Sequence, residues 1–338
     1  MKKVYFICMI ALLTLLLAAC GSRSQEEVVG DLEKKVEQMD GYKAEATMTL
    51  QMGTEPQEYN VEVWHQKENY YRVNLQNAQK DQNQMILRND EGVFVLTPAL
   101  NKSFRFQSEW PNNSSQAYLY ESLVKDILED GEATYEETDD TYVFTTKTRY
   151  QNNKMLPTQK ITFAKKDLAP VKVEVLDTDQ NPLVTVNFTS VEFDAQFEDG
   201  DFDVKKNMTG AREQLEVPVN AEVMDEEFTV LYPTQEIVGT ELESEEKIEI
   251  EDGQRVILSY EGEKSYTLIQ EKQTVVPSSA EVVTLTGNPV DLGFAVGAMT
   301  DQTIRWSYNG VEYLLASDSL TQEELAMVAR SVQGDMVK

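Results

Sequence analysis

Between Tyr42 and Met52 the chain alternates without a break. Tyr42, Ala44, Ala46, Met48, Leu50 and Met52 share one parity, and Lys43, Glu45, Thr47, Thr49 and Gln51 the other. A period of two places the apolar six on one face of an extended strand, so the segment is a strand with one buried face. A slip of one residue would turn the whole apolar set to water, so the register of the flanking strands is constrained as well. The alternation recurs in Tyr59, Val61 and Val63, with Trp64 on the opposite face, and in Tyr71, Val73 and Leu75. Met85–Leu87 and Val93–Leu96 flank Asn89-Asp90-Glu91-Gly92, a hairpin turn by composition, and Phe104 and Phe106 mark another short strand. Strands resume at Thr141–Lys147, Gln159–Ala164, Val171–Leu176 and Leu183–Phe188.

Two helices interrupt this series. Ser24-x-x-Glu27 fits a capping box, Val28, Val29, Leu32, Val36 and Met39 recur at helical spacing, and Gly41 suits the position after the helix. A second helix is expected from about Ser115 to Asp130, with Leu119, Tyr120, Leu123, Val124, Ile127 and Leu128 as its apolar stripe and Gly131 as its end. Strands joined in sequence pair antiparallel, and two helices are too few to cover a parallel sheet but enough to plug one concave face. The expected fold is therefore mainly β (α+β): a curved antiparallel sheet or open barrel plugged by helices. Asp177-Thr178-Asp179-Gln180-Asn181 begins like a calcium loop, but Pro182 and Phe188 stand where that loop needs glycine and glutamate, so it reads as a polar hairpin turn.

Residues 206–222 read as a polar, charged linker with Gly210 and Pro218. Beyond it the strand pattern restarts at Phe228–Pro233, Val256–Gly262 and Ser265–Glu271. Ile304–Leu315 reads as a hairpin over Asn309-Gly310. A last helix is expected from about Thr321, with Thr321-x-x-Glu324 as capping box and Leu325, Val328 and Val332 facing inward. The expected division is a first domain over 25–205, the linker, and a small α+β domain over 223–338.

The N-terminus carries an address. Lys2 and Lys3 precede an apolar run from Val4 to Leu17, too short for an ordinary membrane span and followed by Ala18, Ala19 and Cys20. Leu17-Ala18-Ala19-Cys20 resembles the bacterial lipobox. That resemblance implies a signal peptide over 1–19, a diacylglyceryl anchor on Cys20, a tether over 20–24, and a lipid-anchored protein at the outer face of the cytoplasmic membrane. Two acyl chains give stable anchoring where one is marginal. The only other cysteine, Cys8, lies in the segment that is removed, so no internal disulfide and no free catalytic thiol are expected.

The formal charge of −29 excludes nucleic acid as a partner, since no basic patch is visible. It also repels an anionic membrane surface, which leaves the holding to the lipid. The chain has one histidine, His65, in a strand beside Trp64, and its expected role is structural. There is no G-x-S-x-G elbow, Walker loop or G-x-G-x-x-G, and one histidine with one lipidated cysteine makes no ordinary zinc site. The expectation is a protein that is not an enzyme and needs no metal or cofactor. An apolar concave face is the better candidate site. Ala44, Ala46, Met48, Leu50, Val61, Val63, Val73 and Phe94, with Leu123, Val124 and Ile127 from the second helix, are expected to line a lipid-sized pocket unless the helices fill it as plain core.

The order of elements over roughly 25–205 resembles the LolA-like family, the carriers that sort outer-membrane lipoproteins. The stretch Val61–Arg72 looks like that family's W-x-K-R-P-N-x-F strand and turn, and Met85–Pro98 like its I-L-V-S-D-G-x-x-L-W-x-Y-x-P hairpin. Lys67 and Glu68 stand where the carriers have arginine and proline. The resemblance implies that this arginine closes the lid and hands cargo on, so Lys67 marks a departure. Taken whole, the sequence resembles the LolA-related sporulation lipoproteins of Gram-positive spore formers, the YdcC group. Its last domain resembles a small domain found at the ends of other Gram-positive envelope proteins. The expected function is to bind a hydrophobic ligand (an acyl chain, lipid or lipoprotein) in the cell envelope in sporulation; the alternative is an interaction scaffold that positions an envelope enzyme such as a cell-wall hydrolase.

Overall fold

Helix α1 (Gln25–Gln38) begins where the sequence places its cap: Ser24 Oγ accepts from Glu27 N at 3.3 Å, and Glu27 Oε2 accepts from Ser24 N at 3.0 Å. The computed structural model describes residues 23–51, 56–77, 83–106, 108–112, 114–150, 156–214, 229–250, 253–273, 281–285, 287–292, 294–308 and 310–332. The signal peptide, Cys20 and Met52 lie outside the described residues. The helix ends at Met39. Gly41 is not its terminator but the first residue of the next strand, where a Cβ would lie 2.3 Å from the His65 carbonyl oxygen. The glycine is required by the close approach of a neighbouring strand.

Strands β1 (Gly41–Leu50), β2 (Gln57–Gln66), β3 (Tyr70–Asn77), β4 (Asn83–Asn89), β5 (Gly92–Thr97) and β6 (Lys102–Phe106) form an antiparallel meander. Helix α2 (Tyr120–Glu129) follows, then β7 (Thr134–Glu137), β8 (Thr141–Lys147), β9 (Thr158–Ala164), β10 (Pro170–Leu176) and β11 (Pro182–Phe193). β11 returns to pair with β1, so the two meanders join in one open, curved sheet. The Asp177 turn between β10 and β11 is the expected hairpin, its carboxylate accepting from the backbone N–H of Asp179 and Asn181 at 2.8 Å each.

Helix α2 is shorter than the sequence indicates. Ser115 and Gln116 are drawn into side-chain bonds instead, Ser115 Oγ to Asp126 Oδ2 at 2.8 Å and Gln116 N to Ser122 Oγ at 2.8 Å. Leu128, assigned to the apolar stripe, is 42% exposed. Strand β7 is too short and polar to announce itself by alternation.

The largest departure lies past residue 203. Residues 204–214, mostly within the span expected to be linker, form helix α3 (Val204–Gln214), whose Met208 and Ala211 pack on Met85, Leu87, Phe94 and Leu96. Residues 215–228 lie outside the described residues. The second half forms β12 (Thr240–Ile250), β13 (Gly253–Gly262), β14 (Tyr266–Gln273), β15 (Glu281–Leu285), β16 (Asn288–Asp291), β17 (Val296–Met299), β18 (Thr303–Tyr308), β19 (Val311–Ala316) and α4 (Gln322–Ser331). The segment expected to begin its first strand is not a strand over 229–233. It is held by the fully buried Gln270, whose side chain bonds Leu231 N at 2.9 Å and Leu231 O at 2.6 Å.

Seven of these strands make a second sheet in the order β12-β13-β14-β19-β18-β17-β16. The eighth, β15, leaves it and pairs in parallel with β6, completing a twelve-stranded first sheet. The two halves thus share a sheet, and one core cluster runs from Val28 to Val332.

Candidate functional site

The inner face of the large sheet is laid out in rows by the registers. Ala44, Val63, Val73, Ile86, Val95 and Phe104 face one another in turn across β1 to β6. On the other side Met48, Val186, Val173, Ile161, Phe144 and Tyr135 do the same across β1 and β11 to β7. Cross-strand apolar pairs of this kind each stabilise a sheet by a few tenths of a kcal/mol, about 0.2–1. Here they also define a continuous apolar floor.

Ten of the eleven expected pocket residues belong to this floor or to the helix above it. Ala44, Ala46, Met48, Leu50, Val61, Val63, Val73, Leu123, Val124 and Ile127 are all buried in the one cluster. Phe94 is the exception. β5 is buried on both faces, so Val93 and Val95 point inward while Phe94 and Leu96 point outward beneath α3. Alternation alone cannot say which parity of a doubly buried strand faces the cavity.

Two covers lie over the floor. Helix α2 caps one half, where Tyr120 makes edge contacts with Phe163 and Phe193 at 6.1 and 5.2 Å between ring centres. Its seating is fixed by a polar lock: His65 Nε2 lies 2.9 Å from Glu121 Oε1, Tyr42 Oη donates to Glu121 Oε2 at 3.2 Å and accepts from Tyr120 N at 3.1 Å. His65 Nδ1 lies 3.1 Å from the Tyr70 carbonyl, and its ring stacks on Tyr71 at 4.3 Å. With a carbonyl on one ring nitrogen and a carboxylate on the other, His65 joins helix to sheet. Lys67 sits in the turn after β2 and donates to the Glu37 carbonyl at 2.7 Å, closing the end of α1.

The second half covers the rest. Val296, Ala298 and Trp306 lie against Val95, Phe104 and Phe106, and Phe294 and Tyr308 lie against Tyr59 and Leu75. Gln84 behaves like an extra strand residue, donating to Val296 O at 3.2 Å and accepting from Val296 N at 2.7 Å. Lys102 and Glu312 pair at 2.6 Å across the seam, both largely buried. A cavity of about 40 Å³ between Tyr59, Leu75, Phe294 and Tyr308 and one of about 20 Å³ beside Trp110 and Val290 mark where this packing is imperfect. The seam residues were missed from the sequence, although Val95, Phe104 and Phe106 gave a signal: an apolar parity that two helices are too small to cover.

Among the described residues, α2 and the second half pack over this floor. Replacing Met48 by Trp is expected to lower the melting temperature, by overpacking of about 1–3 kcal/mol, with no fatty-acid probe displaced from either protein. Displacement of the probe from the wild type, reduced in the variant, would show room there. Among the described residues no cluster of three or more His, Cys, Asp or Glu is placed to hold a metal, and no helix is long and apolar enough to cross a membrane.

The chain matches the model of the family described as sporulation protein YdcC-like over residues 1–202. It is 52% identical to the sporulation protein YdcC of Bacillus subtilis strain 168 over 338 residues, 100% of this chain and 99% of that one. Among solved structures it is similar to a LolA superfamily protein from Nitrosomonas europaea, at 11% identity over 53% of this chain and 98% of that one, with a TM-score of 0.31. It is also similar to a chain of the MucA/MucB complex of Pseudomonas aeruginosa, at 12% identity over 91% of this chain and 99% of that one, with a TM-score of 0.33.

Proposed function

The chain belongs to the YdcC-like sporulation protein family, and on that premise we propose that it is a non-catalytic envelope lipoprotein acting as a protein-binding scaffold. Cys20 carries the anchor and holds the body at the outer face of the cytoplasmic membrane. The described chain begins at Arg23, whose N–H already donates to Glu137 Oε2 at 3.0 Å. Three residues from Cys20 span at most about 11 Å, so the α1 and β7 end of the protein lies close to the bilayer.

One observation supports the scaffold over lipid carriage. The concave face that would hold an acyl chain is taken up by α2 and by the chain's own second half, with about 40 Å³ in the larger seam cavity described. A small-molecule site runs to about 300 Å³ or more. The carriage reading has one feature in its favour: Asn83 Oδ1, Thr97 Oγ1 and Ser307 Oγ line that cavity without protein hydrogen-bond partners, which makes the seam the weakest part of the cover.

Native mass spectrometry of the mature protein from its host decides between them. The scaffold reading expects no non-covalent lipid and a stable one-to-one complex with an envelope protein; stoichiometric lipid without a protein partner would overturn it. For the anchor, Cys20→Ala should abolish incorporation of a clickable fatty acid while the rest still folds. Label retained in that variant would remove Cys20 from its role.

A further inference from the structure

Among the described residues the second sheet ends in a long open edge. There β12 pairs with β13 on one side only, and its other side turns every second residue's backbone N–H and C=O away from the sheet along eleven residues. Proteins blunt such edges with short strands, bulges or a few charges. β12 is long, with one register shift between Leu242 and Ser244. It carries Glu241, Glu243, Glu245, Glu246 and Glu249 against the single cation Lys247. Glu245 is engaged by Tyr232 and Lys247, and Glu249 by Gln254.

The same edge shows apolar groups to water, which protection does not require. Leu242 is 42% and Ile248 is 38% exposed. Ile248 shares the sheet face of Glu246. From there a row of half-buried apolar residues runs inward, Ile257 to Ile269 to Leu314, in direct register across β13, β14 and β19. The opposite face of those strands already carries the core, with Val256, Leu258, Leu268 and Leu315 fully buried.

We propose that β12 is a docking edge. Its occupant is an extended, lysine- or arginine-bearing segment of a protein partner, added as a further strand, with cations against the glutamates and alternate apolar side chains beside Ile248. Backbone bonds supply the affinity in such additions and alternate side chains the choice of partner. A second copy of this chain would set glutamate against glutamate, which is unfavourable directly across a strand pair. The inference rests on the scaffold reading and gives it a location.

The test uses the full mature chain and a fluorescent peptide of alternating lysine and valine, followed by anisotropy at physiological ionic strength. Saturable one-to-one binding is expected. It should weaken about tenfold in the double variant Glu245→Lys, Glu249→Lys, whose side chains share the face opposite Ile248, and vanish when the peptide is N-methylated throughout, which keeps its charge and removes its donors. Equal binding of the methylated peptide would reduce the effect to counter-ion attraction and overturn the proposal. So would no binding, which makes β12 a protective edge. If the one-to-one envelope complex forms nonetheless, the scaffold reading stands and only its location falls.

Discussion

Deleting residues 215–338 is expected to yield a protein that takes up apolar dyes and self-associates, where the longer chain does neither. The cut falls after α3, so all the strands that precede it are kept. What is lost is the cover on half the inner face. Tyr59, Leu75, Val95, Phe104 and Phe106, buried in the whole protein, would be opened to water together. Removing β15 also strips the partner from β6 and leaves a new unpaired edge beside that surface. An apolar patch next to an open edge is a recipe for association. The measurement is light scattering and dye fluorescence on the 21–214 fragment beside the 21–338 chain. A monomeric fragment with an unchanged melt and no dye uptake would show that the halves are independent after all.

The second large effect is expected at Asp126, a carboxylate buried in helix α2. It accepts from Ser115 Oγ at 2.8 Å and Gln159 Nε2 at 2.5 Å, and it pairs with Arg149 Nε. Burial pushes this carboxyl above its ordinary range, against the opposing pull of Arg149, Ser115 and Gln159. Asp126→Ala removes one side of a buried pair, which costs about 3–5 kcal/mol where the remaining charge has nowhere to go. The low end is expected here, because Arg149 keeps Glu129 at 3.4 Å and the Asn112 carbonyl at 3.3 Å. Ser115, Gln159 and the loop before α2 lose their common anchor at the same time. Denaturant unfolding of the variant should show a clear fall in midpoint. A shift within about 0.5 kcal/mol of the wild type, the range of ordinary surface changes, would mean the cluster does not tie the helix to the sheet.

Much of the fold is written locally. The two capping boxes at Ser24 and Thr321 form as read, because a cap needs only a hydroxyl and a glutamate three residues apart. The strands β1 to β3 fall where alternation places them, because a period of two is a property of the segment itself. The hairpin over residues 309–310 pairs Tyr308 with Val311 for the same local reason.

Other features are invisible to that logic. Helix α3 has few apolar residues, and Met208 and Ala211 become a packing face only because the outer side of β4 and β5 is there to receive them. Phe94 and Val95 are equally apolar in sequence, and the overlying helix and the second half decide which of them faces the concavity. β12 is so rich in glutamate that nothing in its composition marks a strand, and β13 templates it.

By itself, then, the sequence determined which faces of β1 to β3 avoid water and where the capped helices start. It left open what covers the apolar face, since hydrophobic burial is non-directional and a row of valines is equally satisfied by an acyl chain or by protein. The tertiary structure alone decided that the cover is the chain's own second half, joined through β15 on β6, Gln84 on Val296 and Lys102 on Glu312. Those contacts link residues far apart in the chain, and such pairings carry no local signature to read.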